Sequence, residues 1–170
     1  PSAPANSTSG KIASILFAGD RYEKSKEIRK YLDEGYIVIC DRYADSNIAH
    51  QVSKLPHGER ESMMQWLDEL EYEVMGIPRP DMTLFLDIPS NITTELVLKK
   101  GERTYTESKE DIHEADHDYL KETMELYRDL CDIRGWINID CIDEETGQLK
   151  TIEEINKQLL KIILTFDKGE

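Results

Sequence analysis

Three short apolar runs do most to limit the folds open to this chain: "YIVIC" at residues 36–40, "MTLFLD" at 82–87 and "WINID" at 136–140. Continuous runs of this length read as strands covered on both faces. Between them the apolar period changes to three and four. Residues 10–34 carry Ile12, Ile15, Leu16, Gly19, Ile28 and Leu32 in helical register, and Gly35 closes that helix. Residues 59–75 do the same with Met63, Trp66 or Leu67, Leu70 and Val74. Pro89 opens a third helix to about Lys100, and residues 112–132 form a fourth through Leu120, Met124, Tyr127 and Cys131. A last one carries Ile152, Ile155, Leu159, Ile162 and Phe166. Strands alternating with helices pair in parallel, so the expected class is α/β, a three-layer parallel sheet flanked by helices. Each run ends in or beside an acid, namely Asp41, Asp87 and Asp140. Open sheets of this kind hold ligands at the carboxyl ends of their strands.

With 170 residues the expectation is a single domain, residues 1–170, with 1–10 as loop or frayed end. A net charge of −14 argues against a nucleic-acid partner, which would need a basic face. It also means that an anionic ligand needs a local island of Arg and Lys. No run approaches the roughly 20 apolar residues of a membrane span, and no apolar leader follows a basic start. Cys40, Cys131 and Cys141 sit in apolar contexts and read as buried thiols, so a cytoplasmic location is expected. The sequons at Asn6 and Asn91 are then chance matches.

Several stretches carry candidate chemistry. In "LFAGDR", Phe17 and Arg21 stand four residues apart on one helix face. An aromatic plane with a guanidinium one turn away suits a flat heterocycle bearing a carbonyl, although a core Phe beside a surface Arg has the same spacing. In "DRYADSNIAHQ", Asp41 ends a strand, where an acid can hold a magnesium water, and Arg42 can grip a phosphate. Asn47, His50 and Gln51 follow on the next helix, in reach of a sugar or base. A helix N-cap at Asp45 with solvated polar neighbours explains the same letters. "KKGERTYTESKE" gathers Lys99, Lys100 and Arg103 in an acidic chain. It reads either as a mobile basic flap over about residues 99–113 or as a solvated helix end.

Two stretches imitate sites. "HEADH" (His113 to His117) satisfies H-E-x-x-H, but Asp111, Asp116 and Asp118 make it wet and acidic and no third ligand stands out. An exposed start to a helix is the better reading. "SGKI" resembles the tail of a phosphate-binding loop, yet Ala5 stands where the first Gly belongs and Ile12 where Ser or Thr belongs.

Taken in order, "LFAGDRYE", "GYIVICDRYADSNIAHQ", "RPDMTLFLDIPS", "KKGER" and "WINIDC" resemble the thymidylate kinase family of the nucleoside monophosphate kinase group, from about Ile12 onward. The resemblance implies transfer of the γ-phosphoryl of ATP to dTMP with Mg2+, in a cytoplasmic homodimer. It implies that Phe17 stacks on thymine and Arg21 bonds a thymine carbonyl. Asp41 and Arg42 would serve the acceptor phosphate and magnesium, and Asn47 and Gln51 would contact substrate. Arg103, with Lys99 or Lys100, would bring flap charge to the transferred group, and the loop after Cys141 would lie near adenine. His50 departs from the family's usual aromatic beside the sugar. The alternatives are another pyrimidine nucleoside monophosphate kinase, or a nucleotide-binding homologue without catalysis.

The family's N-terminal strand and phosphate-binding loop have no counterpart in these 170 residues. That strand lies mid-sheet in the family, so its loss would leave a slot between "YIVIC" and "MTLFLD". Each orphaned backbone group there would cost about 1–3 kcal/mol. The expectation is therefore that the polypeptide is longer, and that a gap marks the strand's place.

Overall fold

The computed structural model describes residues 7–93, 96 and 110–166; of residues 7–9 and 110–118 it describes the backbone alone. The chain divides into two compact units, Pro1–Pro80 and Asp81–Glu170.

In the first unit, helix α1 spans Ser7–Asp33. It begins inside the stretch expected as loop, because Ser7, Thr8 and Ser9 contain no helix breaker. Its end falls where the sequence puts it. Gly35 adopts φ +83°, a conformation that L side chains rarely take. The Gly35 N–H donates to Leu32 O and the Tyr36 N–H to Tyr31 O, the paired bonds of a Schellman cap. The rings of Tyr31 and Tyr36 close over it edge to face at 5.7 Å.

Residues 36–40 carry no regular secondary structure and pair with no strand among the described residues. Ile37 and Ile39 are 67% and 75% exposed, and Cys40 is exposed too, so the buried strand expected here is corrected. A strand becomes buried only when neighbours take up its backbone groups and cover its faces, and local sequence supplies neither.

Helix α2 spans Ala44–Val52 and α3 spans His57–Asp68. Tyr43, not Asp45, is the N-cap of α2; Asp45 sits within the first turn and is buried. After α3 the chain widens into a π-helical turn, Glu69–Val74. The i→i+5 pattern shifts the register by about one residue. Met63, Leu67 and Leu70 are buried as their period requires, but Val74 is exposed and Glu71 is buried in its place. Helix α1 packs against α2 and the π turn. The core of the unit includes Ala18, Ala44, Ile48, Ala49, Val52, Met63, Leu67 and Ile77.

The second unit holds the sheet. Strands β1 (Leu84–Asp87) and β2 (Ile137–Asp140) pair in parallel, with Leu84 opposite Ile137 and Asp87 opposite Asp140. Both lie within the runs read as strands, and residues 90–93 are helical. Helix α4 (Glu110–Arg134) covers one face through Leu126, Leu130 and Cys131. Phe85 stacks on Tyr127 at 4.9 Å between ring centres. Helix α5 (Ile152–Thr165) opens with a capping box between Thr151 and Glu154 and buries no residue; Phe166 is its C-cap. The architecture is α/β, mostly helical, with a small parallel sheet of two strands among the described residues. No helix among them is long and apolar enough to cross a membrane.

Candidate active site

Six of the sequence-picked residues, Phe17, Arg21, Arg42, Asn47, His50 and Gln51, lie in the first unit on α1, α2 or the turn leading into α2. Asp41 directly precedes Arg42 and is exposed. Lys99, Lys100 and Arg103 of the basic flap lie outside the described residues, and so do the side chains of His113 and His117.

On α1, Phe17 is 53% exposed, so its ring is open to a stacking partner. Arg21 one turn on is not a surface Arg. Its Nε donates to Glu71 Oε2 at 2.9 Å and its Nη2 donates to Glu71 Oε1, a fork-to-fork pair. The Glu71 side chain has no exposure, and that of Arg21 has 15%. Two of the three guanidinium nitrogens are thereby committed, and Nη1 remains for an outside acceptor.

Asn47 joins the same group from α2. Its Nδ2 donates to Glu71 Oε1 at 3.2 Å, while its Oδ1 is buried and has no hydrogen-bond partner. Gln51, one turn further, is buried and accepts from Lys54 Nζ at 3.2 Å. Solvated polar residues were the bland expectation for this stretch, and burial of Asp45, Asn47 and Gln51 goes against it.

Two anchors hold the surrounding backbone. Arg29 Nη2 donates to Gly76 O at 2.6 Å, and the Tyr43 hydroxyl donates to Pro78 O at 3.0 Å. Burial, with smaller contributions from Cys40 and Glu71, pushes the Tyr43 hydroxyl up to about 12, so it stays a donor.

Arg42 has φ +66°, and it alone among the described non-glycine residues is positive. A left-handed residue with a Cβ costs about 1–2 kcal/mol, and such strain gathers at functional positions. Arg42 Nη1 lies 3.5 Å from His50 Nε2. Burial first, then the positive charges of Arg42 and Lys54, hold the His50 imidazole below its ordinary value of 6.5.

That shift gives a pH prediction. Below about 6.5 the unfolded chain protonates His50 while the folded chain resists, so the unfolded state binds more protons. Stability is full above that pH, falls as the pH drops, and levels off once folded His50 is charged. Thermal melts from pH 8 to pH 5 are expected to show a smaller loss for His50→Gln than for the unaltered chain. An equal loss in both would contradict the assignment.

In the second unit, Asp87 is also paired. Arg128 donates to it through Nε at 2.8 Å and Nη2 at 2.7 Å, and this bond raises the Arg128 pKa. Asp140 Oδ1 accepts from the Ile142 N–H at 2.8 Å. These two acids do end paired strands, as the sequence implies.

Glu71 is the residue that sequence reading missed. One signal was available: it stands four residues after Leu67, on the apolar face of its helix.

The family model described as "Thymidylate kinase" matches residues 4–160. A "Probable thymidylate kinase" of Thermoplasma volcanium is 34% identical over 59% of this chain and 54% of its own length. A "Thymidylate kinase" of Plasmodium falciparum is 27% identical over 92% of this chain and 62% of its own. A "Probable thymidylate kinase" of Pyrobaculum calidifontis is 31% identical over 76% and 58%. The chain spans about half the length of the curated relatives it matches. With the family model covering all but the two ends, the chain belongs to the thymidylate kinase family.

Proposed function

We propose that this chain carries the nucleoside monophosphate side of a dTMP kinase, an enzyme transferring the γ-phosphoryl of ATP to dTMP to give dTDP. The two compact units are read as parts of one nucleotide kinase domain. The observation that carries this reading is the cluster Phe17, Arg21 and Asn47: an open aromatic face, a held guanidinium and a buried, unpartnered amide oxygen. A pyrimidine ring fits all three, stacking on Phe17 and presenting a carbonyl to Arg21 Nη1 and an N–H to Asn47.

Arg42 would hold the acceptor phosphate, with Gln51 and His50 beside the sugar. Phosphoryl transfer asks for positioning and charge stabilisation more than for covalent help from the protein. Asp41, an exposed carboxylate, fits Mg2+, which is usually held by one or two carboxylates, with waters and substrate phosphates completing its shell. Bound there, the ion would neutralise charge on the phosphates. Lys99, Lys100 and Arg103 would act on the ATP side, and the turn after Cys141 would lie near adenine. A homodimer and a cytoplasmic setting belong to the same reading; exposed Ile12, Ile15 and Leu16 on α1 offer apolar surface to a second copy.

The test is ADP release with dTMP, dUMP, UMP and CMP as acceptors. The reading expects turnover with dTMP foremost. A preference for UMP or CMP would point to another pyrimidine kinase, and dTMP binding without ADP release to a non-catalytic homologue.

A further inference from the structure

Glu71 lies outside every motif that suggested a site, yet Arg21 and Asn47 meet on its carboxylate. We infer that Glu71 is the positioning residue that sets the hydrogen-bond polarity of the base site, making it accept an N–H and donate to a carbonyl. The inference rests on the functional reading above and deepens it. A guanidinium has donors only, so both oxygens of Glu71 act as acceptors toward Arg21. Oε1, already accepting from Arg21, presents only lone pairs to Asn47. The Asn47 amide must therefore turn its NH2 group to Glu71. What it offers to anything else is Oδ1, which is buried without a partner.

The same carboxylate fixes the second half of the pattern. By engaging Nε and Nη2 it sets the guanidinium plane and leaves Nη1 as the outward donor. An acceptor beside a donor matches the edge of thymine or uracil, which carries an N3–H next to the O4 carbonyl. Cytosine presents the reverse, an N3 lone pair next to an amino group, and would set acceptor against acceptor and donor against donor.

Glu71→Gln keeps the shape and changes the polarity. Oε1 serves both Arg21 Nη2 and Asn47, and Oε2 serves Arg21 Nε, so a Gln NH2 in either position meets an Arg21 donor. The orientation that keeps its oxygen toward Asn47 loses only the Nε bond, and the guanidinium plane is then no longer fixed. In calorimetric titrations dTMP affinity is expected to fall about tenfold with dCMP affinity little changed, so the preference narrows. Glu71→Asp retains the acceptor-only group on a shorter arm, so it should weaken dTMP without improving dCMP. A residue that only supported the fold would weaken both nucleotides alike in both variants.

The measurement starts with the unaltered chain. If that chain binds dTMP and Glu71→Gln loses both nucleotides in equal proportion while still folded, the inference is overturned and the functional reading stands. If the unaltered chain binds neither nucleotide, the reading fails and takes the inference with it. Should Glu71→Gln not fold, the Asn47 side-chain amide of the unaltered chain decides. Its NH2 protons are expected to exchange slowly by nitrogen-15 NMR, and rapid exchange would overturn the proposal.

Discussion

Glu71→Ala is expected to lower the unfolding free energy by about 3–5 kcal/mol, the usual result of removing one partner from a buried ion pair. The mechanism is the desolvation left behind rather than the attraction lost. With Glu71 gone, the Arg21 guanidinium, 15% exposed, keeps its charge in a site that water barely reaches. The Asn47 NH2 loses its acceptor as well, so three donor nitrogens on two residues are stranded at once. The pair between Arg79 and Glu73 is the control, since its side chains are 62% and 70% exposed. Glu73→Ala should therefore cost no more than about 1 kcal/mol. Urea unfolding followed by circular dichroism reads both variants. A cost for Glu71→Ala as small as that for Glu73→Ala would show that the cluster does not hold α1, α2 and the π turn together.

Arg42→Gly is expected to move stability and function in opposite directions. Glycine takes φ +66° without the clash that a Cβ meets, so the substitution relieves about 1–2 kcal/mol of backbone strain. It adds freedom to the unfolded chain, which offsets part of that gain. The variant should melt no lower than the unaltered chain. Loss of the guanidinium removes the proposed grip on the acceptor phosphate, where one charge-assisted contact can be worth about 10²–10³ in rate. kcat/KM with dTMP is the quantity to follow. Equal activity in the variant would mean that the strained backbone at Arg42 serves something other than phosphate binding.

The parts of the fold legible in the sequence were those set by local chemistry. The end of α1 is one, because only a residue tolerant of positive φ can make that cap and Gly35 is where the apolar period stops. β1 and β2 are two more, being short apolar runs bounded by polar turns. What stayed hidden depends on partners distant in the chain. Nothing local tells that residues 36–40, just as apolar, lack a strand beside them among the described residues. The π turn is hidden for a different reason. It adds no periodicity of its own and only shifts the register, which exchanges Val74 for Glu71 on the inner face. At the site, Phe17, Arg21 and Asn47 were readable as types suited to a base. The carboxylate that Arg21 and Asn47 share was not, since a buried acid reads as a solvated one until its partners are known.

The central claim, that α1, α2 and the π turn build a site for dTMP, is tested most directly by titrating the nitrogen-15-labelled chain with that nucleotide. The account predicts shifts at the Asn47 and Gln51 side-chain amides, the Arg21 guanidinium and the backbone near Arg42, with dCMP producing far smaller ones at the same concentration. Shifts confined to the Asp81–Glu170 unit, or equal responses to dTMP and dCMP, would contradict it.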